Sequence, residues 1–140
     1  MKEFTEEDQD EARVLVNLIQ QAILEFKPYR KYFQEILYQD TLASHLRTKF
    51  TDREVEIEKQ KGSSRPDIVV DGVAIEIKGP TNKSGLISVA DKCMRYKIHY
   101  PKGLIIVLFD VDVNDVNDYY YKEWLEGFKR THPGVIVIRK

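Results

Sequence analysis

The chain has 140 residues, of which 42% are hydrophobic and 32% are charged, and its formal net charge is −1. A chain of this length fits one domain with one core, so we assign residues 1–140 to a single domain. The composition excludes low-complexity and generic polycationic classes, and no apolar segment is long enough to cross a membrane.

The amino-terminal sequence carries no apolar signal-peptide region. Cys93 is the single cysteine, so it permits neither an internal disulfide nor a four-cysteine metal site, and its apolar helical neighbourhood predicts a buried thiol. We therefore expect a cytoplasmic protein that does not contact membranes.

Two helices are predicted first. Thr5 is a candidate N-cap, and apolar residues recur at helical spacing from Ala12 to Phe26 until Pro28 interrupts them. This helix makes residues 1–28 an addition to a core of residues 31–140; we expect it to cover one sheet face, with a dimer contact as the alternative. A second helix is predicted over residues 30–50, with these residues along one side: Tyr32, Ile36, Ala43, Leu46 and Phe50.

Strands and helices then alternate along the chain. Strand patterns cover residues 55–58, two runs flanking Asp71-Gly72, residues 104–109 and residues 135–138, while helical patterns cover residues 85–99 and 118–130. Gly62-Ser63-Ser64 predicts a loop. The order predicts an α/β fold of the α+β type, a mixed sheet flanked by helices with an extra N-terminal helix.

Asp71-Gly72 predicts a two-residue hairpin turn, because this dipeptide lies between apolar runs. Paired positions then sum to 143, so Asp67 lies opposite Glu76. Lys78 shares the face of Glu76, since it is two residues away on one strand, whereas Ile77 points into a core. Two carboxylates and one ammonium therefore converge.

Opposed like charges destabilise a hairpin, and a divalent cation is a natural counter-charge. Pro66-Asp67 followed by Glu76-Ile77-Lys78 resembles the PD-(D/E)XK phosphodiesterase superfamily, the restriction-endonuclease-like nucleases. The likeness extends loosely over residues 31–140 and implies a mixed sheet flanked by helices. It also implies metal-dependent hydrolysis of phosphodiester bonds.

The resemblance assigns roles to the motif residues. Asp67 and Glu76 become ligands of Mg²⁺, for which Mn²⁺ would substitute, and the Ile77 carbonyl completes the protein's share. Lys78 would orient or deprotonate the attacking water. Many relatives add an acid from the helix before the hairpin, which binds the metal and belongs to the catalytic residues. Glu35 is the first choice for this acid here, and Asp40 is the second.

Residues 59–102 hold nine Lys and Arg against four Asp and Glu, a bias that suits a phosphate-rich partner. The Gly62–Arg65 segment resembles the loop before the motif acid in archaeal Holliday-junction resolvases, so phosphate contacts are expected from Ser63, Ser64 and Arg65; a flexible connector is the alternative. Further expected DNA contacts are Lys83, Lys92 and Arg95, and Lys92 stands where many relatives have Gln.

These inferences together predict a Mg²⁺-dependent endonuclease acting on DNA, with a homodimer as a possible assembly. The alternative is a noncatalytic nucleic-acid-binding or assembly module with a nuclease-like fold. DNA and RNA, and the preferred structure or sequence of the substrate, stay open at this point.

Overall fold

The computed structural model describes residues 4–140. It contains the predicted series of helices and strands, whose bounds are α1 Glu6–Glu25, α2 Glu35–Lys49, β1 Val55–Ile57, β2 Ile68–Val70, β3 Val73–Lys78, α3 Lys83–His99, β4 Leu104–Leu108, α4 Tyr119–Thr131 and β5 Ile136–Arg139. The strands form one sheet in the order β1-β2-β3-β4-β5. β1, β2 and β3 pair antiparallel, and β3, β4 and β5 pair parallel, which confirms the predicted mixed sheet.

The β2–β3 hairpin has the predicted register. Ile68 pairs with Ile75, and Val70 pairs with Val73. Asp71 and Gly72 both adopt positive φ, 45° and 86°, as a turn that matches the strand twist requires. The Asp71 carboxylate also accepts hydrogen bonds from the Glu54 amide and the Arg53 guanidinium, which fasten the turn to the chain before β1.

A hydrophobic core lies on each face of the sheet. The odd-numbered residues of β3, such as Ile75 and Ile77, pack with α1 and α2, whereas Ala74 packs with the layer formed by α3 and α4. Since side chains alternate along a strand, Glu76 and Lys78 project toward the α3 side. The central strand therefore carries apolar residues on one face and the motif residues on the other.

α1 begins with a capping box. The Thr5 side chain accepts a hydrogen bond from the Asp8 amide, and the Asp8 side chain accepts one from the Thr5 amide. Its residues Leu15, Ile19 and Ile23 are buried in the same core as β3. The helix thus covers one sheet face, as expected.

α2 begins five residues later than predicted. Tyr32 lies outside the helix, and its amide donates to the Tyr38 hydroxyl at 3.0 Å, so a side chain holds the chain out of helical hydrogen bonding. Ile36, predicted to face the core, is 44% exposed. The buried side of the helix instead consists of Tyr38, Gln39, Leu42, Ala43 and Leu46.

In residues 4–140, no helix is long and apolar enough to span a membrane.

Gly72→Ala should lower the free energy of unfolding by about 1–2 kcal/mol, because a side chain at φ 86° is strained. The matched control is Gly127→Ala in α4, where the added methyl group would meet no other part of the protein within 4 Å beyond its own helical turn. That change should raise stability by up to about 1 kcal/mol, because alanine favours a helix. Urea unfolding measures both; equal effects would exclude a strained turn.

Candidate active site

The hairpin brings Asp67 and Glu76 together. They follow the Ile68–Ile75 pair in the register, and in such a turn they occupy a non-hydrogen-bonded position, where opposed side chains come closest. The two carboxyls are close enough that Glu76 raises the pKa of Asp67. The predicted juxtaposition of the two acids is present.

Pro66 leaves the Ile77 amide and carbonyl without strand hydrogen bonds. In this register Pro66 lies opposite Ile77, but proline has no N–H to donate to the Ile77 carbonyl. The Ile77 amide donates instead to Asp67 Oδ2 at 2.7 Å. The strand pairing therefore ends at the motif, and the Ile77 carbonyl oxygen receives no ladder bond from the opposite residue.

Asp67 holds its proton unusually tightly. Burial raises the pKa of its carboxyl, the charge of Glu76 raises it further, and the hydrogen bond from Ile77 lowers it; the pKa is about 8, against an ordinary value of 3.8. The more distant Glu35 carboxylate also raises this pKa. Both desolvation and like charge thus disfavour the ionised form.

Glu76 is neutralised differently, by a cation from α3. Lys92 Nζ lies 3.0 Å from Glu76 Oε2, and the Glu76 side chain is 4% exposed while that of Lys92 is 35% exposed. Burial lowers the pKa of Lys92, but the charge and hydrogen bond of Glu76 outweigh it, so the pKa is raised. Lys92, expected to contact DNA, is here the counter-ion of a motif acid.

Lys78 stands at the end of β3 against the start of α3. Its Cε would lie 3.4 Å from a methyl group placed on Gly85, and the same methyl would overlap the Thr81 hydroxyl. Glycine at position 85 therefore lets the helix approach. Asn82 caps α3 by accepting from the Gly85 amide at 3.2 Å, which fixes this close approach.

Of the two candidate acids on α2, Glu35 lies at the site. Its Oε1 accepts a hydrogen bond from the Gly79 amide at 3.2 Å, directly after β3. Asp40 is exposed, five residues farther along the helix. The structure thus favours the first choice, Glu35, as the helix-borne acid.

Three buried side-chain atoms in residues 4–140 have no hydrogen-bond partner: Gln39 Nε2, Glu76 Oε1 and Thr81 Oγ1. Glu76 belongs to the motif. Thr81 and Lys78 both lie against Gly85, and Gln39 is one helical turn after Glu35. Buried polar groups are normally satisfied, so the unpartnered Glu76 and Thr81 atoms beside the motif need an explanation, whereas Gln39 lies on α2, on the other side of the sheet. Sequence reasoning missed Gln39 and Thr81; the one available signal was a glutamine on the apolar side of α2.

The loop before the motif is held by α3. Ser64 is fully buried, and its hydroxyl lies 2.7 Å from His99 Nδ1. Tyr96 donates its hydroxyl to the Arg65 carbonyl at 3.2 Å. The expectation of an exposed Ser64 hydroxyl was wrong, because this side chain anchors the loop; Ser63 and Arg65 are exposed, as a phosphate contact requires.

The remaining basic candidates lie on the surface of α3. Lys83 is exposed at its first turn, with Nζ 5.1 Å from the centre of the Tyr120 ring. Arg95 pairs with the exposed Asp91 of the same helix at 3.7 Å. Both are accessible, and neither touches Asp67 or Glu76.

No group of three or more His, Cys, Asp or Glu side chains within residues 4–140 is arranged to hold a metal ion. The hard oxygen donors at the site are Asp67, Glu76 and the Ile77 carbonyl, with the partnerless Glu76 Oε1 among them. Mg²⁺ usually takes one or two carboxylates from a protein and keeps several waters, so this donor set fits it.

Comparison with family models, with curated proteins and with solved structures found no match to this chain.

In EDTA, the stability of the parent should fall between pH 3.8 and about 8, because the native state keeps a proton on Asp67 that the unfolded chain has lost. The slope from one proton approaches about 1.4 kcal/mol per pH unit. Asp67→Asn removes this contribution, so its stability should gain on the parent as pH rises. Urea unfolding across this range tests it, with the exposed Asp40→Asn as control; parallel profiles for Asp67→Asn and parent would refute it.

Proposed function

We propose that this protein is a metal-dependent nuclease of the PD-(D/E)XK type that hydrolyses phosphodiester bonds in DNA. The observation that carries the proposal is the opposition of Asp67 and Glu76 on one sheet face, with Lys78 next on that face. Two opposed carboxylates, one buried and one half-buried, are unfavourable in a hairpin that has only a structural role. A catalytic use of the pair explains why it is there.

Asp67, Glu76 and the Ile77 carbonyl would hold Mg²⁺, and Glu35 at the Gly79 amide would bind one of its waters or join it as a ligand. When bound, Mg²⁺ supplies charge neutralisation at the phosphate and lowers the pKa of a water. The proton on Asp67 must leave for Asp67 to act as a ligand, so metal uptake and deprotonation are linked.

Lys78 orients the attacking water and stabilises negative charge that develops on the phosphate. Lys92 keeps Glu76 paired while the site is without substrate. Its four-carbon chain and its partial exposure allow its ammonium to turn toward a phosphate when Glu76 takes a cation instead. Ser63 and Arg65 on the loop before the motif, with Lys83 and Arg95 on α3, are exposed donors that would bind the DNA backbone.

One observation favours the alternative, a noncatalytic nucleic-acid-binding or assembly module. Each motif carboxylate already has a partner from the protein, since Asp67 accepts from Ile77 and Glu76 from Lys92. A module without catalysis would keep these bonds permanently. Cleavage assays separate the two functions directly.

Asp67→Asn, Glu76→Gln and Lys78→Ala should each lower cleavage by about 10²-fold or more, because each removes a ligand or the group that serves the water. Affinity for DNA should stay within a few-fold, since backbone cations supply it. Cleavage of duplex, single-stranded and four-way-junction DNA with Mg²⁺ or Mn²⁺, stopped by EDTA, measures the first effect; binding in EDTA measures the second.

The exposed Asp40→Asn and Lys129→Ala in α2 and α4 are the matched controls for loss of a charge. Both should cleave like the parent. Full activity in any motif variant would remove that residue from the mechanism, and a parent that binds but never cleaves would establish the noncatalytic module.

Lys92→Ala leaves Glu76 buried without its cation and should lower stability in EDTA by about 1–3 kcal/mol. Mg²⁺ should then stabilise the variant more than the parent, because the cation no longer competes with Lys92. Mg²⁺ at a hundredfold excess over its Kd should raise the free energy of unfolding of the variant by about 2.7 kcal/mol. Thermal unfolding with and without Mg²⁺ measures it, with Arg95→Ala as control; equal Mg²⁺ shifts in Lys92→Ala and parent would contradict competition at Glu76.

A further inference from the structure

The segment between α1 and α2, residues 26–34, exposes aromatic rings beside cations. Tyr29 and Phe33 are each 94% exposed, although large aromatic side chains normally bury most of their surface. Lys27, Arg30 and Lys31 lie in the same segment and are also exposed. We call this segment the α1–α2 loop.

The loop is anchored, so these rings are displayed from a fixed base. The Tyr32 amide donates to the Tyr38 hydroxyl, and the Tyr32 ring meets the Tyr38 ring edge-on with 5.0 Å between centres. Tyr38 in turn stacks on the buried Phe109 at 4.3 Å. The middle aromatic of the loop thus serves the core, while Tyr29 and Phe33 on either side of it cover nothing.

Two cavities adjoin the loop and share Arg30 and Lys31 in their walls. The larger, of about 500 Å³, also reaches Phe109 and the end of the chain, and the smaller, of about 300 Å³, is lined by Tyr32 and Phe33. We call the larger one the basic cleft. Its walls hold one acidic side chain, Asp110, and five cationic ones: Lys27, Arg30, Lys31, Arg139 and Lys140.

The positive charge in the cleft is only partly compensated. Lys31 pairs with Asp110 at 3.5 Å, and Arg139 pairs with Asp118 at 3.0 Å. Within the described part of the chain, no acidic side chain pairs with Lys27 or Arg30. Burial and the nearby Lys27 lower the pKa of Lys140, whose ammonium donates to the Leu24 carbonyl at 3.0 Å.

The cleft is next to the candidate active site. The Phe109 amide donates to the Lys78 carbonyl at 2.8 Å, and the residue after Phe109 is the acid that pairs with Lys31. On the other side, the loop leads directly into Glu35. A chain bound along the loop and the cleft therefore passes the carboxyl end of β3.

We propose that the α1–α2 loop and the basic cleft bind single-stranded polynucleotide, with Tyr29 and Phe33 stacking on bases and Lys27, Arg30 and Lys31 binding phosphates. Aromatic side chains interleaved with cations are the combination that single-stranded nucleic acid requires, because every unpaired base offers a ring face. Duplex DNA keeps its base faces stacked inside, so it can use only the cations. That this strand is the substrate rests on the proposed function, whereas its binding does not.

The test is the affinity of full-length protein in EDTA for labelled oligothymidylate, oligouridylate and a duplex of mixed sequence. Tyr29→Ala/Phe33→Ala should raise Kd for a single strand by about tenfold or more, equal to about 1.4 kcal/mol or one lost stacking contact, and should change duplex affinity less. Arg30→Ala/Lys31→Ala should reduce the salt slope by about 0.7 per lost phosphate contact to a single strand. The two oligonucleotides show whether DNA or RNA binds better.

Arg13→Ala/Val14→Ala is the matched control, because it removes an exposed cation and an exposed apolar residue from the amino-terminal half of α1. It should bind like the parent. Measuring in EDTA separates this proposal from catalysis, since an inactive protein can still show the expected loss. Three results would overturn it: no single-strand binding by the parent, an unchanged Kd in Tyr29→Ala/Phe33→Ala, or equal losses on single strand and duplex. A shift in oligomeric state with unchanged Kd would assign the rings to a protein contact instead.

Discussion

The opposition of Asp67 and Glu76 is the constraint on which the rest of the site depends. The half-buried Asp67 and the buried Glu76 carry opposed like charges that need compensation, and the protein treats them differently: Asp67 keeps a proton, and Glu76 pairs with the ammonium of Lys92. Pro66 ends the strand pairing beside them, and the Ile77 amide donates its hydrogen bond to Asp67 instead. The proton on Asp67, the ammonium of Lys92 and the Ile77 amide thus all act on the same pair of carboxyl groups.

Apolar packing of the sheet stabilises the strand register that places Asp67 opposite Glu76. β3 is the central strand, and its Ile75 and Ile77 are buried on the face opposite the acids. Hydrophobic burial on that face fixes the register, because a slip by one residue would exchange the apolar and acidic faces. Apolar packing on the α1 and α2 side therefore holds the acids together on the α3 side, against their repulsion.

Local patterns predicted the fold well, and tertiary contacts explain where they did not. The Asp71-Gly72 turn gave the register and the pairing of the two acids because a two-residue turn leaves little freedom. The start of α2 depends on the Tyr32–Tyr38 hydrogen bond, and the burial of Ser64 depends on His99, 35 residues away. Neither contact has a signature in the nearby sequence.

Charge counts along the chain do not show which cations the fold leaves without an acidic partner. The basic stretch, residues 59–102, uses much of its charge for its own folding: Lys92 binds Glu76, and Lys102 donates to the Asp71 carbonyl. The acid-rich first part of the chain instead supplies Lys27 and Arg30, which meet no acidic side chain in the structure from residue 4 onward. A cation attracts a ligand only to the extent that the fold leaves it without a partner. The electrostatic surface therefore follows from the three-dimensional pairing of charges, which a count along the chain does not contain.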